Sequence, residues 1–133
     1  MRAFFGVAGL ALVAACVQAP PEVSNGRQLF ETHCAGCHGS AGTGDGPDAA
    51  GLGVAVPDLT TIAARNGGTF PKIEVMSTID GYRRAKAGAV TMPEFGAALV
   101  DAPMVLVDLG DGVLTPTPEP LVAVADYLES IQR

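Results

Sequence analysis

Cys34-Ala35-Gly36-Cys37-His38 is the stretch from which the rest of the chain is read. Two thiols three residues apart, with a histidine directly behind them, form the attachment signature of a c-type haem. On a helical turn, positions i, i+3 and i+4 lie on one face, so Cys34, Cys37 and His38 can address one flat object. The thiols would add across the two haem vinyl groups, and His38 would approach the iron as proximal ligand. Ala35 and Gly36 are small, which lets the backbone run close to the porphyrin edge. A thioredoxin-like C-x-x-C pair would need a βαβ context, and this glycine-rich neighbourhood does not supply one. A zinc site would recruit His33 as a fourth donor, but ligands so close in sequence do not wrap one ion tetrahedrally.

With these residues the chain resembles the class I c-type cytochromes, in particular small bacterial monohaem members. The resemblance implies an all-α, cytochrome c-like fold wrapped round one haem c attached through Cys34 and Cys37. It implies an electron carrier rather than an enzyme. Haem attachment to thiols in this family takes place outside the bacterial cytoplasm, so the resemblance also places the chain in the periplasm.

Upstream, Met1 and Arg2 are followed by an uncharged run from Ala3 to Val17, too short to span a bilayer as a stable helix. It matches the charged start and apolar middle of a secretory signal peptide. Val13-Ala14-Ala15-Cys16 looks like a bacterial lipobox, which implies cleavage before Cys16 and acylation of that residue. Ordinary cleavage near Ala19 is the alternative, but it leaves a third cysteine without a role. Residues 1–15 are therefore read as a lipoprotein signal, 16–23 as a lipidated linker and 24–133 as the cytochrome c domain. The expected address is the periplasmic face of a membrane in a Gram-negative cell.

The chain carries eight Lys and Arg against 14 Asp and Glu. Loss of Arg2 with the signal leaves seven basic residues and a net charge of −7, before the haem propionates are counted. Such a balance excludes nucleic acid as a partner and favours a partner with a basic docking patch. There is no Trp, and Phe4 and Phe5 leave with the signal. A domain with so few rings has a thin core by itself, and buried haem would supply the missing apolar mass.

Downstream of Pro20-Pro21-Glu22, Ser24 or Asn25 is a candidate N-cap for a helix that runs into the haem motif. Gly26 and Phe30 share one face of it. In the family the resemblance invokes, a glycine and an aromatic here pack the first helix across the last. From Gly39 to Gly53, glycines and Pro47 predict loop. Gly44-Asp45-Gly46-Pro47 is no phosphate loop, because no Gly-Lys-Ser/Thr follows. The family also places a proline after this loop, whose carbonyl accepts a hydrogen bond from the proximal histidine. Pro57 is the candidate, although a proline that merely ends a loop fits the local sequence as well.

Asp58 or Thr60 could cap a short helix ending at Gly67-Gly68, and a stronger helix follows, with Pro71 near its first turn and Gly81 beyond its end. Its expected apolar stripe includes Ile73, Met76 and Ile79, with Met76 as core rather than ligand. Tyr82-Arg83-Arg84-Ala85-Lys86 gathers basic residues that could hold haem propionates, Tyr82 or Arg83 above all. A solvated face or a docking patch is the other reading.

Gly88-Ala89-Val90-Thr91-Met92-Pro93 resembles the distal ligand loop of class I cytochromes. Pro93 holds Met92 out of helical geometry, so that the thioether can be aimed at the iron. The resemblance breaks between Leu99 and Thr117. Met104-Val105-Leu106-Val107 and Val113-Leu114-Thr115 flank Gly110-Asp111-Gly112, which predicts a β-hairpin inserted before the last helix. Thr117 and Pro118 read as N-cap and first residue of that helix, and Leu121, Val124, Ala125 and Leu128 as its core stripe.

Iron held by His38 and Met92 has no vacant position, which fits a monomeric shuttle of single electrons. Its partners would be redox proteins, a respiratory complex or dehydrogenase on one side and an oxidase on the other. A haem-based sensor or ligand-binding module, or a haem subunit of a larger oxidoreductase, are the other function classes. No output domain and no second haem motif accompany the first.

Overall fold

The structure, a computed structural model, describes residues 24–83 and 92–133. The expected signal and linker, Cys16 included, lie outside the described residues, as do Arg84 to Lys86 and Gly88 to Thr91. Among the described residues the elements run α1 (Gly26–His33), α2 (Ala35–His38), α3 (Ile62–Arg65), α4 (Lys72–Asp80), β1 (Met104–Asp108), β2 (Leu114–Pro118) and α5 (Glu119–Ser130). Short 3₁₀ turns occupy Ala49–Leu52, Leu59–Thr61 and Gly96–Leu99. The fold is thus mainly helical, with one small antiparallel hairpin before the last helix, as expected.

Asn25 caps α1, its side-chain oxygen accepting from the Gln28 N–H at 3.2 Å. The helix packs across α5 at Gly26, where a Cβ would stand 1.9 Å from the Ala123 carbonyl oxygen. Phe30, one turn later, is fully buried, with its ring centroid 5.3 Å from that of Tyr127. The Gly-aromatic pairing read from the sequence is therefore a helix crossing with no room for a side chain. Gly26→Val should destabilise the holoprotein by about 1–3 kcal/mol through overpacking, seen as a lower urea midpoint at unchanged slope.

α4 joins the crossing from the other side. Lys72 Nζ lies 2.5 Å from Asp126 Oδ1 and 2.9 Å from Glu129 Oε2, which ties the start of α4 to α5. That docking turns Val75, Met76 and Ile79 inward and leaves Ile73 43% exposed, so Val75 takes the place expected of Ile73 in the buried stripe. Leu121, Val124, Ala125 and Leu128 of α5 complete the core.

The expected loop from Gly39 to Gly53 contains the 3₁₀ turn at its end. Asp58 is the cap of the next turn, its Oδ1 accepting from the Thr60 N–H at 2.8 Å. The last helix begins later than the sequence suggests. Thr117 pairs with Val105 in the hairpin and is buried, so β2 runs through Pro118 and α5 starts at Glu119, with Pro120 in its first turn. Ladder pairing to β1 has outcompeted capping by Thr117.

Candidate functional site

α1 stops at His33, and Cys34 begins a new turn. The Cys34 carbonyl accepts from the N–H groups of both Cys37 (3.2 Å) and His38 (2.9 Å), which fixes all three residues on one turn. The turn's own carbonyls are then taken by the glycine loop. Gly44 N–H donates to His38 O at 2.8 Å, Gly46 N–H to Cys37 O at 3.1 Å and Asp48 N–H to Gly36 O at 2.9 Å. This satisfies the carbonyls that a short helix leaves over. Gly46 comes so close that a Cβ would lie 2.3 Å from the Gly36 oxygen. The loop is therefore a clamp on the attachment turn, and the absence of a side chain at Gly46 is what lets it seat.

Cys34, Cys37 and His38 all line a cavity of about 520 Å³, together with Pro57, Thr78 and Met92. A second cavity of about 310 Å³ adjoins it and shares Cys34, His38, Pro57, Thr78 and Met92. Of the eight buried core side chains among the described residues, Phe30, Val75, Ile79, Val124 and Leu128 line this second cavity. The small core thus presents much of its surface to the space between the helices. A large flat apolar group seated there would complete the burial of those side chains.

Met92 reaches this space from a segment held against the end of α4. Phe95 N–H donates to Ile79 O at 3.2 Å, and the Phe95 ring meets His33 edge-on at 6.1 Å between centroids. His33 and Phe95 both line the cavity of about 520 Å³ beside the attachment turn. Among the described residues, no group of three or more His, Cys, Asp or Glu side chains converges on one point as an ion site would need.

His38 is 9% exposed, and its Nδ1 is the one buried side-chain polar atom among the described residues that closes no hydrogen bond of ordinary geometry. Burial holds the imidazole below its usual pKa, and the Pro57 backbone carbonyl acts in the opposite direction. The two observations fit together if the carbonyl lies close to the ring without completing a bond. An imidazole that gave Nε2 to iron would carry its proton on Nδ1 and need such an acceptor. Burial also pushes the Cys34 thiol up to about 11, so in the polypeptide alone it is protonated. Neither cysteine is in a disulfide. The residues present fit a covalently held haem.

The other expected residues are not drawn in. Tyr82 is 66% exposed, and Arg83 reaches Glu74 at 3.9 Å; both lie outside the lining of the two cavities. Among the described residues, the cation in that lining is Arg65, which the sequence reading passed over. Its guanidinium donates to Asp58 O at 2.9 Å and to Thr61 Oγ1, which positions it at the cavity edge. Thr78, also missed, lines both cavities from the α4 face. The one sequence signal for Arg65 is its place at the end of the short helix that Asp58 starts.

The chain matches the family model for cytochrome c over residues 23–132. A comparison with curated proteins found no match. The chain belongs to the cytochrome c family, which binds one covalent haem c and works by haem-based electron transfer. Cys34, Cys37 and His38 fit the family's C-x-x-C-H motif.

Proposed function

We propose that this member of the cytochrome c family shuttles single electrons between redox proteins at the periplasmic face of a membrane. The observation that carries the reading is the meeting of Cys34, Cys37, His38 and Met92 on one cavity. The haem supplies a one-electron couple whose potential a thioether ligand raises. Cys34 and Cys37 fix its edge to the attachment turn, and the loop clamp holds that turn. His38 and Met92 would be its two protein ligands, and the Pro57 carbonyl would orient the His38 ring and raise its basicity. Arg65, at the cavity edge, supplies positive charge for a propionate.

Two protein ligands leave no position for a substrate or gas, which separates a carrier from a sensor. The absorption spectrum of the reduced holoprotein should be unchanged by carbon monoxide. A shift on adding the gas would mean that the distal ligand is labile and the protein a ligand-binding module. The partners follow from charge: a net of −6 for the whole chain suits basic docking patches on a respiratory complex, dehydrogenase or oxidase.

Val13-Ala14-Ala15-Cys16 supports attachment to the membrane through an acylated Cys16. Several acyl chains hold a protein stably where one holds it marginally. Cys16→Ala should abolish acylation and release the protein from the membrane fraction. A wild-type mature mass without acyl chains, beginning near Pro20, would show that the anchor assignment is wrong.

A further inference from the structure

The hairpin stands apart from the haem site. Among the described residues that line the two cavities, none comes from 104–118. Alternate residues of a strand share a face, and here the two faces differ. Val105, Val107, Thr115 and Thr117 are partly or fully buried, whereas Met104 (58%), Leu106 (64%) and Leu114 (58%) are exposed. Leu106 stands opposite Pro116 in the register, and Val113 beside the turn is exposed as well. The outward face is thus apolar at Met104, Leu106 and Leu114 and turns acidic only at Asp108, opposite Leu114 near the hairpin end. A contiguous patch of this kind marks a contact surface.

Where the chain leaves the fold indicates what that surface meets. Ser24 N–H donates to Glu119 Oε1 at 2.9 Å, and Glu119 N–H donates to Pro103 O at 2.7 Å. The start of the domain is therefore pinned to the base of the hairpin. From Cys16 to Ser24 the covalent path can span at most about 26–29 Å at full extension. A five-residue strand is itself about 17 Å long, so a lipid at Cys16 keeps the hairpin within reach of the bilayer surface.

We propose that the outward face of the hairpin, centred on Leu106, rests in the interfacial region of a zwitterionic lipid bilayer and orients the tethered domain on the membrane. The inference rests on the reading of Cys16 as the lipid anchor. Zwitterionic rather than anionic lipid fits the acidic hairpin end. Asp108 and Asp111 sit there, their carboxylates accepting the turn N–H groups of Gly110, Gly112 and Val113. The opposite end of α5, where Ala63 N–H donates to Gln132 Oε1, stays in water.

In the full lipidated holoprotein Cys34 and Cys37 are bonded to haem and Cys16 to lipid, so Leu106→Cys offers a single free thiol for a nitroxide label. Leu106 is exposed, and replacing it spares the core. On phosphatidylcholine vesicles, the ratio of collisions with oxygen to collisions with an aqueous nickel chelate should be several-fold higher at this label than at one on Ala64→Cys. The mature mass of each sample reports acylation independently. Acylated protein with equal ratios at the two labels overturns the membrane-facing hairpin and leaves the anchor standing. Protein without acyl chains overturns both. Dipolar broadening between Leu106→Cys labels would mean that a second copy of the chain, not lipid, covers the face, and would overturn it too.

Discussion

The double variant Cys34→Ala/Cys37→Ala should yield no haem-bearing polypeptide on a denaturing gel, whereas the wild-type chain keeps its haem through denaturation and acidic acetone. Each thiol occupies a place the fold has prepared. The Cys34 carbonyl collects the N–H groups of Cys37 and His38, so the two sulfurs and the imidazole leave one turn on one side. Both cysteines line the same cavity of about 520 Å³. The loop from Gly44 to Asp48 closes over the turn from behind by three backbone hydrogen bonds. A single replacement removes one bond to the haem and leaves the other, so Cys34→Ala and Cys37→Ala should each retain some stained protein. Recovery of free haem from the wild-type chain in the acetone extract would overturn covalent attachment by this pair.

The residues that decide the site were legible in the sequence because their relation is local. Cys34, Cys37 and His38 meet through the geometry of one helical turn, and no distant contact is needed to bring them together. The α5 stripe of Leu121, Val124, Ala125 and Leu128 was legible for the same reason, over three turns of regular period. The hairpin followed from two apolar runs and a Gly-Asp-Gly turn. What the sequence hid depends on docking between elements. α4 is nine residues long, and which of its sides faces inward is set by Lys72 reaching Asp126 and Glu129 of α5. Thr117 and Pro118 have good helix-start chemistry, yet the partner strand claims them. Arg65 reaches the haem cavity because the chain folds back at Asp58, a turn no periodicity announces. Tyr82 and Arg83 looked suitable by charge and proximity in sequence, and neither lines the cavities.

Met92→Ala should lower the reduction potential, open the ferrous iron to carbon monoxide and erase the sulfur-to-iron charge-transfer band of the oxidised protein. The fold sorts the three methionines of the described residues by position. Met76 is 5% exposed inside the core formed by α4 and α5, and it lines neither cavity. Met104 is 58% exposed on the outer face of β1. Met92 lines both cavities alongside His38, on a segment that the Phe95 to Ile79 hydrogen bond holds against α4. Among the described methionines only Met92 shares the cavities with His38, and loss of a soft thioether ligand would remove its preference for reduced iron. Met76→Ala should keep the band while costing about 2–5 kcal/mol of stability through the core cavity it leaves. Met104→Ala should keep the band and change stability by no more than about 0.5 kcal/mol, as surface replacements do. The three variants therefore separate ligation from packing and from exposure. A charge-transfer band that survives Met92→Ala and disappears with Met104→Ala would move the ligand to the hairpin and overturn both the axial assignment and the membrane-facing role of that strand.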